Sequence, residues 1–153
     1  MKSDIFRIYL DSENATTNTA SVGEYNYTLN IPTQGVNYKE YKLYVDDFNV
    51  CLKGLATTSV LVKLNTFQYS SFNSRTESNN NVFATVFNPN TATGRTSDLA
   101  LNYQNPNTPY IINSLPTSLK VNLVDIDNAG IDFSNANNFW TLNLRVEAII
   151  EGC

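Results

Sequence analysis

The stretch WTLNLRVEAII, Trp140 to Ile150, decides the fold class. Trp140, Leu142, Leu144, Val146, Ala148 and Ile150 fall on one side of a two-residue repeat, and Thr141, Asn143, Arg145 and Glu147 on the other. Successive side chains of a β-strand point to opposite faces, so this pattern describes a strand with one face in a core and one in water. The same alternation recurs on either side of it along the chain. Leu119, Val121 and Leu123 alternate with Lys120 and Asn122; Val60, Val62 and Leu64 alternate with Leu61 and Lys63. Tyr25, Tyr27, Leu29 and Ile31 alternate with Asn26, Thr28 and Asn30 until Pro32, which cannot donate to a ladder.

Ile5–Leu10 and the short run VFATVF, Val82–Phe87, are further strands, and Leu99–Tyr103 and Pro109–Ile112 are two weaker candidates separated by a Pro-containing loop. Tyr41, Leu43 and Val45 alternate up to Asp46 and Asp47, after which the phase moves by one and Phe48, Val50 and Leu52 take over. A bulge or turn at the two acids accounts for that shift. The segments Ser70–Asn81 and Asn88–Ser97 read as long polar loops, expected as surface excursions that either do something or contact something.

Composition agrees with strands. Asn occupies 23 of 153 positions, and nine Tyr and eight Phe accompany many Thr, Val and Ile, types that favour turns or pleated surfaces over helix interiors. No segment carries helical periodicity with caps. The expectation is all-β: one domain, 1–153, an antiparallel β-sandwich of about eight strands, for which two packed sheets in jelly-roll order are preferred over an immunoglobulin-type Greek key. Residues 1–12 are either a strand of that domain or an arm reaching another subunit.

Several function classes lose their footing here. A formal net charge of −4 without a Lys/Arg cluster disfavours nucleic acid. Apolar runs such as SVLVKL fall well below the roughly 20 residues of a membrane span. The opening MKSDIFRIYL, broken by Asp4 and Arg7, reads as neither a spanning segment nor a signal peptide. Cys51 and Cys153 are accordingly expected as free thiols. Histidine is absent, which removes the commonest general base and zinc ligand, and the six glycines form no phosphate loop. No catalytic, cofactor-binding or metal-ligating residue is assigned, no cofactor is expected, and the chain is read as a non-enzyme.

Two motifs invite chemistry. Tyr44-Val45-Asp46-Asp47 matches the Tyr-x-Asp-Asp signature of reverse transcriptases, but two-metal phosphoryl transfer needs a third carboxylate and a supporting palm; a strand ending in acids explains the letters. Asp125-Ile126-Asp127-Asn128-Ala129-Gly130 begins like a calcium loop, yet Ala129 and Ala136 stand where oxygen ligands are needed, so a turn with Gly130 at positive φ is expected. Trp140 is read as core rather than a sugar platform.

The closing portion SLKVNLVDIDNAGIDFSNANNFWTLNLRVEAI, Ser118–Ile149, resembles the end of single-jelly-roll capsid proteins of large icosahedral DNA viruses, where a strand pair flanks an Asp-x-x-Gly turn before a last alternating strand. The opening DIFRIYLDSENAT, Asp4–Thr16, with the Tyr-rich strand after it, is similar to minor capsid or penton components of giant viruses. This resemblance implies a structural virion component, made in the host cytoplasm, that binds major capsid protein, other minor capsid proteins and copies of itself. The chain is short for a penton protein, which favours a small cementing role. The alternative is a carbohydrate-binding module using Tyr38, Tyr69, Tyr103 and Tyr110 near strand ends.

Overall fold

The computed structural model describes residues 2–30, 37–52, 59–64, 71–73, 78–80, 82–87, 99–125, 127–135 and 137–150. Among them lie eleven strands: β1 (Ser3–Asp11), β2 (Thr17–Thr19), β3 (Glu24–Thr28), β4 (Tyr38–Leu52), β5 (Ser59–Leu64), β6 (Ser71–Asn73), β7 (Ser78–Asn80), β8 (Val82–Phe87), β9 (Leu99–Ile112), β10 (Ser118–Val124) and β11 (Phe139–Ile150). A single 3-10 turn, Ala20–Val22, is the one helical element among these residues. The all-β expectation holds, and eight of the strands have five residues or more.

Two antiparallel sheets face each other. One has the order β1-β11-β4-β9, the other β2-β3-β10-β5-β8, and β6 and β7 form a separate small hairpin. The pairing is nested: first strand with last (β1 with β11), then β3 with β10, β4 with β9 and β5 with β8, each antiparallel. The chain is thus a long hairpin ribbon folded over on itself, with β2 added at one margin. Ser3–Asp11 form a strand of the sandwich, in unbroken register from Ser3 opposite Ile149 to Asp11 opposite Thr141.

The inward faces supply one core. Ile8 and Leu10 of β1, Leu43, Val45, Phe48, Val50 and Leu52 of β4, and Trp140, Leu142, Leu144, Val146 and Ala148 of β11 meet Tyr25 and Tyr27 of β3, Val60, Val62 and Leu64 of β5, and Leu119, Val121 and Leu123 of β10. Removing each such Val, Leu, Ile or Phe side chain from water contributes roughly 1.5–3 kcal/mol, so the alternating residues are what hold the sheets together. Trp140 is fully buried, as the sequence suggests. Its indole meets Tyr25 edge-on at 5.2 Å and Tyr27 at 6.1 Å, an inter-sheet aromatic contact.

Two glycines fix how the chain returns from β10 to β11. Gly23 sits at φ 67, and a Cβ there would lie 2.5 Å from the Leu123 carbonyl oxygen. A Cβ on Gly130 would lie 2.2 Å from the Val22 carbonyl oxygen. Only glycine admits both approaches. They let the Phe133 N–H donate to the Ala20 carbonyl and the Leu123 N–H to the Gly23 carbonyl, seating Ile131 and Phe133 in the core.

The structure corrects four local expectations. The strand carrying Asp46 and Asp47 does not end at the acids; β4 runs through them with a bulge, because Leu144 pairs with Val45 and Asn143 with Asp47, leaving Asp46 over. The weak candidates Leu99–Tyr103 and Pro109–Ile112 belong to one strand, β9, irregular around Pro106 and Pro109, which an edge position tolerates. The Ser70–Asn81 loop contains the β6–β7 hairpin. Asn128, at φ 67, rather than Gly130 takes the positive φ of the turn after β10; Asn tolerates that region by bonding locally. Asn88–Ser97, Ile31, Pro32, Tyr69, Ala136 and Cys153 lie outside the described residues.

Candidate functional site

The outward face of the β1-β11-β4-β9 sheet carries a connected set of polar contacts, and the β4 bulge organises it. Alternation buries Val45 and Phe48, so the two residues between them both stay out of the core. The extra residue, Asp46, has its carboxylate between two cations. Arg7 of β1 and Arg145 of β11 stand directly opposite each other, an arrangement that repels without an anion. The Arg7 guanidinium donates to Asp46 Oδ2 at 2.8 Å, and Arg145 Nε to Asp46 Oδ1 at 3.2 Å. Arg145 also donates to the Pro106 carbonyl at 2.7 Å and lies 4.3 Å over the Tyr44 ring. Two arginines and one aspartate therefore tie together all four strands of the sheet.

Asp47 does different work. Its carboxylate accepts from the side-chain amides of Asn49 and Asn102, and Asn102 also donates to Asn49 Oδ1 at 2.7 Å. The amides join β4 to β9. The Tyr-x-Asp-Asp letters thus mark a charge clamp and an amide ladder; no three of His, Cys, Asp and Glu gather in a metal-holding group among the described residues.

In the loop after β10, Asp125 Oδ1 accepts the backbone N–H groups of Asp127 (2.9 Å) and Ala129 (3.0 Å), while the Asn128 N–H donates to the Asp125 carbonyl. That carboxylate closes a turn. Lys63 of β5 donates to Asn128 Oδ1, and burial pulls its amine below the usual lysine range.

The tyrosines proposed for sugar stacking point mostly inward. Tyr38, Tyr103 and Tyr110 are partly buried and packed on the core. The Tyr38 hydroxyl donates to Asp4 Oδ2 at 2.7 Å, which with partial burial pushes its pKa up to about 12. Burial also raises Tyr25, Tyr27 and Tyr110, and Tyr27 donates to the Asp11 carbonyl. Cys51 is a half-buried free thiol on the outward face of β4.

The exposed aromatics are others. Tyr9 of β1 and Phe139 of β11 are 62% and 42% exposed and flank an open cavity of about 260 Å³, completed by Asp11, Ser12, Glu13, Trp140 and Thr141. Sequence reading missed it because neither ring breaks the alternation of its strand; only the pairing of β1 with β11 brings them to one place. No helix among the described residues is long and apolar enough to cross a membrane. Compared with known proteins, the chain matches no family model and no curated relative.

Proposed function

We propose that this chain is a non-enzymatic structural component of a virus particle, a jelly-roll sandwich of minor capsid, cementing type that binds major capsid protein and other minor capsid neighbours. The observation that carries the reading is the nested strand order. An eight-strand ribbon folded so that first pairs with last, with β1-β11-β4-β9 facing β3-β10-β5-β8, supports a jelly-roll reading of the sandwich, a fold that recurs in viral capsids. It agrees with the resemblance carried by Asp4–Thr16 and Ser118–Ile149. The chemistry of the sheet face fits a scaffold as well, since Asp46, Asp47, Arg7 and Arg145 are engaged with one another and with neighbouring strands. Fold alone does not fix function, so the test lies in the particle. Purified virions should contain the chain, cross-linked through surface lysines such as Lys39 or Lys120 to capsid proteins. Recovery only from cellular fractions would end the proposal.

A second reading, carbohydrate binding, is favoured by the cavity between Tyr9 and Phe139 rather than by Tyr38, Tyr103 and Tyr110. Two exposed rings beside the Glu13 carboxylate and the Thr141 hydroxyl could stack on and bond to a sugar ring. Selective glycan-array binding lost in both Tyr9→Ala and Phe139→Ala would favour it over the capsid role.

A further inference from the structure

The free margin of β1 points to a partner of a particular kind. At the two ends of the β1–β11 ladder, the Ile150 N–H donates to the Lys2 carbonyl and the Ser12 N–H to the Trp140 carbonyl. In an antiparallel pair, backbone groups turn toward the partner at every second residue. With the register unbroken between those ends, Asp4, Phe6, Ile8 and Leu10 bond to β11, and the N–H and C=O groups of Ser3, Ile5, Arg7 and Tyr9 point away from it. Among the described residues nothing pairs with that margin.

The other sheet margins are guarded by proline, short length or broken register, whereas the charges in the body of β1, Asp4 and Arg7, are bonded within the chain to Tyr38 and Asp46. β9 has Pro106 and Pro109 and a broken register, β2 is three residues long, and β8 is six residues long with a register shift against β5. Such features blunt edge-to-edge association. β1 has nine residues, no proline, no glycine and no bulge, and it exposes Ile5 (59%) and Tyr9 (62%) on the outward face.

We propose that β1 is a self-association edge, at which a second copy of this chain adds its own β1 antiparallel about a two-fold axis at Arg7. The sequence of the strand is self-complementary in that register. Ile5 stands opposite the partner's Tyr9 and Tyr9 opposite the partner's Ile5, an aromatic to β-branched pair of the kind that stabilises sheets. The bonded pairs fall on odd residues, the same ones whose backbone groups are free. Arg7 meets its own equivalent at the axis, but its guanidinium reaches back over β11 to Asp46, an anion it shares with Arg145, and that contact draws it off the seam, where its 63% exposure lets solvent screen the remaining repulsion. The two four-stranded sheets become one of eight strands, and the isologous contact closes without propagating. A single strand seam is smaller than the roughly 1,600 Å² of a standard interface, so the dimer should dissociate on dilution. The inference is independent of the capsid reading, which fails or stands on particle composition alone.

Sedimentation across a concentration series tests it. The native chain should move from 17.1 kDa toward twice that mass as concentration rises. Ile5→Lys with Tyr9→Lys sets lysine against lysine twice and should remain monomeric, whereas Ile5→Lys with Tyr9→Glu sets lysine against glutamate twice and should restore association. Both positions are exposed, so the melting temperature of each variant should stay near that of the native chain. A native chain that stays monomeric throughout would overturn the proposal, as would association that survives the two lysines or that the Lys/Glu pair fails to restore.

Discussion

Arg7 and Arg145 face each other across β1 and β11, and the Asp46 carboxylate accepts from both. The two contacts are unequal. The Arg7 side chain is 63% exposed, so solvent screens its pair and Arg7→Ala should cost no more than about 1 kcal/mol. Arg145 and Asp46 are 24% and 21% exposed, and Asp46→Asn leaves two opposed guanidinium groups without their anion. Asp46→Asn should therefore destabilise by about 1–3 kcal/mol, read as a lower denaturant midpoint at unchanged slope. The tyrosines set a pH limit. Tyr38, pushed up to about 12 by its bond to Asp4 and by partial burial, contributes stability that is fully present below its ordinary value of 10.0 and is lost as pH rises through 12. Tyr25, Tyr27 and Tyr110, raised chiefly by burial, act in the same direction. The melting temperature should fall steeply above pH 10, with Tyr38→Phe reducing the slope; a flat profile to pH 12 would contradict the burial of these rings.

Alternation was enough to find β11, β10, β5 and β3 and to locate the irregularity in β4, because each buries one face against a continuous core. It does not separate a turn from a bulge. That difference is set by whether β11 continues alongside, as it does from Phe139 to Ile150. Proline hid β9: Pro106 and Pro109 look like a loop, but as the sheet margin this strand needs ladder bonds on one side only. The β6–β7 hairpin was illegible because a single Phe among Ser and Asn makes no alternating pattern. Asn128 holds the positive φ, while Gly130 meets a separate need, its close approach to Val22. The bulge also makes a deletion experiment decisive. Removing Asp46 leaves Val45 and Phe48 in phase with one outward residue between them, so the chain should stay folded and lose only about 1–3 kcal/mol from the clamp. Removing Asn49 instead turns Val50 and Leu52 outward and should abolish cooperative unfolding, as followed by circular dichroism. Equal damage from both deletions would contradict the assigned bulge.

The strand order was the part the sequence could not supply. Periodicity says which face of a strand is buried and nothing about which strand lies beside it, and the contacts that define this molecule join residues as far apart as Ser3 and Ile149. Such long-range pairing forms late and slowly, because the chain must close a large loop before any contact rewards it. The candidate site has the same origin: the Arg7–Asp46–Arg145 clamp and the cavity between Tyr9 and Phe139 exist only once β1 has docked on β11. The outward face of the β1-β11-β4-β9 sheet therefore depends on that closure. Residue-resolved amide hydrogen exchange of β1 in dilute solution measures it directly. The amides of Asp4, Phe6, Ile8 and Leu10 should be protected as strongly as those in the middle of β11, while Ile5, Arg7 and Tyr9 exchange much faster. Uniform, rapid exchange along Ser3–Asp11 would mean that the first strand does not close the sandwich against the last.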